Sequence, residues 1–327
     1  VKVAGKQPVQ VEKRMSYDEC FGQNRTESRQ VVMEVEEFVR KMEGDNAELF
    51  YLSTQDSGQQ AAFQTPCEQL LSHRIIDETL EWAGNLVLHT CNIWMGHSKS
   101  GSSSGLHVDH HDNFYLLIEG QKRVRLYSPD CATKMYTYGT IERVYFNGKI
   151  SFVGNETRAD GTAMSDEANS DEEETDPEEE EIVLGKGFDY ESDADQDGNT
   201  PFPDEAEDDF DKFVQNTDSD VRDDDNEDKP SDPSQRPDNF SRIDIARLTE
   251  VDLRKDFPDF LQCREYVLEL TAGQTLYLPA GWFHEVTSIS NPKGQIGHIA
   301  LNYWYHPPDA LDNYENPYKN SRMVVGT

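Results

Sequence analysis

Residues 155–240 carry 33 Asp and Glu against six Lys and Arg, a net of −27 out of −34 for the 327-residue chain. Like charge at this density, with so few apolar residues, cannot bury enough surface to offset the entropy of ordering it. SDEEETDPEEEE (170–181) and VRDDDNEDKPSDPSQRPD (221–238) are therefore expected to be disordered. The globular part must be assembled from what lies on either side, and its own charge of about −7 is ordinary. The acidity also limits partners. Nucleic acid would be repelled, whereas a protein or peptide with a basic target region would be attracted. Within the run, DADQDGNTPFPD (193–204) has the ligand spacing of a calcium-binding EF-hand loop. It has Pro201 at its ninth position and no flanking amphipathic helices, so it reads as solvated charge.

On either side the sequence changes character. RQVVMEVEEFVRKMEG (29–44) and PCEQLLSHRIIDETLEWAG (66–84) have apolar residues at helical spacing and end at glycine, with ELFYLST (48–54) strand-like between them. From residue 86 onward, short β-branched and aromatic runs alternate with Gly, Ser and Pro. They are LVLHTCNIWMG (86–96), GLHVDHHDNFYLLIEG (105–120), QKRVRLYSP (121–129) and, beyond the acidic run, CREYVLELTAG (263–273), QTLYLPAGWFHEVTSI (274–289) and GHIALNYWYHPP (297–308). IERVYFNGKISFVG (141–154) predicts a hairpin turning at Asn147-Gly148. Some seven short strands imply a sandwich or barrel. Five scattered cysteines without paired spacing point to a reducing compartment, cytoplasmic or nuclear. No apolar run approaches the roughly 18 residues that span a bilayer, so no membrane partner is expected.

The chemistry gathers in LHVDHHDNFY. In a strand, residues i and i+2 face the same way, so His107, Asp109, Asn113 and Tyr115 share a face if the strand is regular. A hairpin turn near Glu119-Gly120 would set Lys122 beside Tyr115. A core face tolerates a histidine, a carboxylate, an amide, a phenol and an ammonium only if something pairs with them. A metal and an anionic ligand would. His-x-Asp alone is common by chance, but LYLPAGWFHEV (276–286) turns at Pro279-Ala280-Gly281 and presents His284. Two histidines and one carboxylate form the facial triad of non-haem Fe(II) oxygenases. His110, His111, His89, His97, His298 and His306 read as structural or outward-facing, Asp112 as solvated or a turn acceptor, and Trp94, Trp282 and Trp304 as core.

NIWMG, LHVDHHDNFYLLIEGQKRVRLYSP, LYLPAGWFHEV and IALNYWY together resemble the jumonji C (JmjC) oxygenases, and within them the small hydroxylases without reader domains. The resemblance implies a mainly β (α+β) fold: a double-stranded β-helix of cupin or jelly-roll type with N-terminal helices and a long acidic insertion. The implied layout is an N-terminal segment (1–85), the β-helix (86–154 and 241–308), the insertion (155–240) and a C-terminal segment (309–327). It implies Fe(II) bound by His107, Asp109 and His284, which are also the catalytic residues, with O₂ as co-substrate. For 2-oxoglutarate it implies Lys122 on the distal carboxylate, Tyr115 and Ser104 at the same end, and Asn113 and Asn302 along the pocket. The implied reaction is hydroxylation of a protein side chain, a lysyl one by likeness, with developmentally regulated GTP-binding proteins as first substrate candidates. The alternatives are a histone lysine demethylase and a non-catalytic cupin that binds basic proteins. A homodimer is an expected assembly.

Overall fold

Only one residue, Gly120, separates two long strands, yet they do not pair with each other. This fixes the architecture. In the computed structural model, which describes residues 1–16, 21, 29–44, 46–54, 61–164, 236–291 and 297–319, Gly120 turns at φ 87°. A Cβ there would lie 2.7 Å from both His298 Cβ and the Ile289 carbonyl oxygen. Only glycine permits so tight a turn, and the chain uses it to step from one sheet to another. The expected hairpin is thus replaced by a crossover: Tyr115 and Lys122 face each other from different sheets rather than lying side by side.

In chain order the strands are β1 (Pro8–Lys13), β2 (Gln30–Glu34), β3 (Phe50–Ser53), β4 (Leu88–Gly96), β5 (Ser102–Ser103), β6 (His107–Val108), β7 (Asp112–Glu119), β8 (Gln121–Tyr127), β9 (Ile141–Val144), β10 (Ile150–Phe152), β11 (Tyr266–Thr271), β12 (Thr275–Leu278), β13 (Phe283–Ile289) and β14 (His298–Tyr305). The large sheet has the order β12-β7-β14-β4-β3-β1-β2, the smaller one β11-β8-β13-β5, with β6 also on β13. The pairings are antiparallel throughout. This is a jelly roll, as expected. Leu117, Leu278 and Ala300 from the large sheet meet Val124, Leu126 and Leu270 from the smaller one in a common core, each large aliphatic side chain contributing about 1.5–3 kcal/mol on burial.

Two expected helices are shorter than their apolar stripes. Residues 30–34 form β2, because Val31 and Met33 alternate onto β1 (Val11↔Val31, Val9↔Met33). The helix begins only at Val35 and runs to Met42, burying Val35, Phe38 and Met42. The β-branched pair Val31-Val32 favours the pleated form, and an available strand edge decides it. In the second stripe, Cys67–Ser72 is helical, but Arg74 at φ 54° leaves the helical region, and a 3₁₀ turn, Glu81–Ala83, follows. The hairpin at 141–154 forms as read, with Gly148 at φ 87°.

All described residues belong to one unit, Val1–Ile182 with Ser231–Thr327; a second unit, Val183–Pro230, lies outside them. The acidic run is packed at both of its ends. Ala159 and Asp160 are buried, Asn147 Nδ2 donates to the Ala159 carbonyl, and Asn239 Nδ2 donates to the Val108 carbonyl. The expectations of disorder and of solvated charge at 193–204 fall outside the described residues. No described helix is long and apolar enough to cross a membrane.

Candidate active site

His107, Asp109 and His284 meet although 177 positions separate the first from the last. Strand pairing does this: β6 lies antiparallel to β13 with His284 opposite His107. The Nε2 atoms of His107 and His284 lie 3.8 and 3.6 Å from the two carboxylate oxygens of Asp109. The ligand atoms of all three lie within 4.8 Å of one another. Both rings are aimed by the backbone. His107 Nδ1 donates to the Gly105 carbonyl at 2.9 Å and His284 Nδ1 to the Trp282 carbonyl at 3.0 Å. A carbonyl can only accept, so each Nδ1 carries the proton and each Nε2 turns its lone pair to the centre. Metal-bound histidines are held in this way.

The turn before His284 is equally determined. Gly281 has φ 81°, and a Cβ there would lie 1.7 Å from the Gly148 carbonyl oxygen. Gly281 N donates to the Asp109 carbonyl. Asp112 is buried rather than solvated. Its carboxylate accepts from Ala280 N at 2.9 Å and from the Tyr277 hydroxyl at 2.8 Å, and burial raises its pKa. The turn-acceptor half of the reading holds, and it ties the first ligand strand to the second.

The triad lines a cavity of about 380 Å³. Lys122, 1% exposed, points into it from the smaller sheet. Its Nζ donates to Ser288 Oγ at 2.6 Å and lies 3.3 Å from His298 Nδ1, neither of which supplies a negative charge. Burial alone pushes its pKa down to about 7. An ammonium bonded, among the described residues, only to a hydroxyl and an imidazole is a seat for an anion. Tyr115 faces the same cavity from the large sheet, and its hydroxyl pKa is raised by burial and then by Tyr51.

The remaining expected residues divide. Asn113 and Ser104 line the cavity, although the Ser104 hydroxyl already donates to the Gly105 carbonyl and accepts from Val286 N. Asn302 does not line it. Fully buried behind the wall, it donates to Asn113 Oδ1 at 3.0 Å and accepts from Trp94 Nε1 at 2.8 Å. It therefore orients two lining residues, Asn113 and Trp94. Trp94 and Trp304, read as core, also reach the cavity, as do Glu12 and Tyr51 from the N-terminal strands. Phe240, at the end of the acidic run, stacks on His107 with centroids 4.9 Å apart. Local sequence gave no sign of Phe240 or His298. The alternation of PVQVEK in β1 was the available signal for Glu12.

A jelly roll with two histidines, a carboxylate and a buried lysine in one cavity is a cupin-type fold whose site could hold a metal ion. The chain belongs to the cupin-like domain family, of JmjC type, whose model matches residues 1–311. It is 32% identical to JmjC domain-containing protein 4 of Schizosaccharomyces pombe over 355 aligned positions, 91% of this chain and 73% of that protein. Shorter similarity is found to tRNA wybutosine-synthesizing protein 5, 32% over 72 residues in Danio rerio (22% of this chain, 20% of that protein) and 35% over 91 residues in Mus musculus (26% and 27%). These relationships support placement among 2-oxoglutarate oxygenases.

Proposed function

We propose that the chain is an Fe(II)- and 2-oxoglutarate-dependent dioxygenase that hydroxylates a protein side chain, a lysyl one. The observation that carries this reading is the convergence on one cavity of a two-histidine, one-carboxylate cluster and a buried lysine bonded to Ser288 and His298. The donor set suits Fe(II) and leaves coordination positions open, and Lys122 suits a dicarboxylate, so the residues fit both groups. When bound together, iron and 2-oxoglutarate supply the oxidising chemistry.

The chain's own residues do the rest. His107, His284 and Asp109 hold the metal, their rings locked by Gly105 and Trp282. Lys122, with Ser288, pairs with the distal carboxylate. Asn113, held by Asn302, flanks the pocket. Phe240 covers one face of His107 and keeps water from it.

The lysyl assignment rests on charge complementarity. Glu12 lies in the cavity wall, and the acidic run ends at its edge, where Pro237, Asn239 and Phe240 line it, so a cationic side chain is favoured over an anionic one. Although relatives named for tRNA modification share about a quarter of the chain, a net charge of −34 disfavours a polyanion. The test is succinate release by the Fe(II)-loaded chain over lysine-containing peptides, beginning with sequences from developmentally regulated GTP-binding proteins. A stable product heavier by one oxygen on lysine is expected. Formaldehyde from a methylated histone peptide would replace the reading with demethylation. Binding of basic peptides without any succinate would leave a non-catalytic cupin.

A further inference from the structure

Three histidines outside the active site meet at one end of the large sheet. His89 lies on β4, His111 immediately before β7, and His306 immediately after β14, and these strands are neighbours in the order β7-β14-β4. Tyr305 pairs with both Leu88 and Asp112, which sets the three histidines side by side. One ligand nitrogen of each lies within 4.8 Å of those of the other two. His89 stacks on His111 with centroids 3.9 Å apart and planes at 7°, and His306 stands across both at 5.1 and 5.3 Å.

Packing alone would account for stacked rings, but it leaves two features unexplained. His111 Nε2 is buried with no hydrogen-bond partner, an arrangement that ordinarily costs about 1–3 kcal/mol. His306 Nδ1 donates to the Asp160 carbonyl at 3.0 Å, so its Nε2 carries the lone pair. That is how both histidines of the active-site cluster are held. His89 lies on the exposed side, which gives an ion a route in.

We propose that His89, His111 and His306 form a second metal site, separate from the active site, that takes zinc with a solvent molecule as fourth ligand. An all-imidazole set suits zinc and its borderline neighbours rather than magnesium or calcium, which take oxygen. At a Zn–N distance of about 2.0–2.1 Å the nitrogens must draw closer, and exposed His89 must tilt out of its parallel stack to put the ion in the plane of its ring. Buried Lys149 faces His111 and opposes a cation there. The site would tie the ends of β4, β7 and β14, which carry Trp94, Asn113, Tyr115 and Trp304 of the cavity wall. This proposal does not rest on the oxygenase reading.

The test counts metal. Full-length wild-type, Asp109→Ala, His89→Ala and Asp109→Ala/His89→Ala chains are stripped, loaded with zinc, passed through a desalting column and measured by elemental mass spectrometry. Cobalt loading adds a visible spectrum that distinguishes tetrahedral from octahedral coordination. Asp109→Ala is expected to retain one zinc per chain and a tetrahedral cobalt spectrum. Adding His89→Ala should weaken zinc binding by at least about tenfold to a hundredfold, the loss that even a supporting partner produces. His89 is exposed, so its removal should not disturb folding, which circular dichroism checks. An Asp109→Ala chain that binds no zinc, or one whose zinc survives His89→Ala unchanged, would overturn the proposal.

Discussion

Lys122→Met should make the ligand-free chain more stable and its 2-oxoglutarate binding weaker. The folded chain holds the lysine pKa near 7 against an ordinary 10.5, by burial. The unfolded chain therefore binds the proton more tightly. The cost of folding is full below about pH 7 and fades as pH rises toward 10.5; at pH 7 it amounts to about 4 kcal/mol. Methionine has nearly the same length and no charge, so it relieves this cost. It forfeits the bond to Ser288, worth about 1–2 kcal/mol. The balance is a gain of about 2 kcal/mol, or about 4–8 °C in Tm. Binding moves the other way. Removing one partner of a buried ion pair costs about 3–5 kcal/mol; cavity solvent reduces this to about 2 kcal/mol, a thirtyfold weakening. The wild-type chain should also take up protons on binding 2-oxoglutarate at pH 8, since the dicarboxylate restores the ammonium. Calorimetry in buffers of different ionisation enthalpy measures affinity and proton uptake together, and thermal unfolding gives stability. A Lys122→Met chain that is less stable and binds 2-oxoglutarate unchanged would show that the lysine serves the fold rather than the ligand.

His107→Ala and Asp109→Ala should each abolish succinate production while circular dichroism and Tm stay near wild type, because both side chains border the cavity; normal turnover in both would remove the iron assignment. Gly281→Ala should destabilise the chain by about 3 kcal/mol or more and lower iron affinity, since the new Cβ would meet the Gly148 carbonyl at 1.7 Å and φ is 81°; equal stability by chemical denaturation would contradict the close contact. Deleting 165–235 should leave a folded, iron-binding domain with uncoupled 2-oxoglutarate turnover, because closing a long surface loop costs little. The deletion should also blunt the salt dependence of basic-peptide binding, as screening acts over about 8 Å at physiological ionic strength; identical salt dependence in both chains would exclude the run from recognition.

The sequence by itself determined the elements that depend on near neighbours. Two-residue alternation along β7 put Asn113 and Tyr115 toward one cavity, but the expected regular strand breaks at 109–111, so His107 reaches that cavity from the smaller sheet and Asp109 from the break between them. Asn147-Gly148 set a hairpin, and the motifs around His107 and His284 were specific enough to name the family. Tertiary structure decided what depends on partners far along the chain. Val31 and Met33 became strand because β1 offered an edge, although their spacing also suited a helix. Gly120 sent β8 into the other sheet, so Lys122 faces Tyr115 across the cavity, and the choice between hairpin and crossover is invisible in a single glycine. Asn302 went behind the wall because its amide bonds to Asn113 and Trp94, side chains carried by the two neighbouring strands. Phe240 and His298 reached the active site, and His89, His111 and His306 reached one another, only through pairings between distant strands. Local sequence encodes which way a side chain faces on its own strand. Which strands become neighbours depends on the burial and hydrogen bonding of the whole sheet, and no short stretch of residues carries that information.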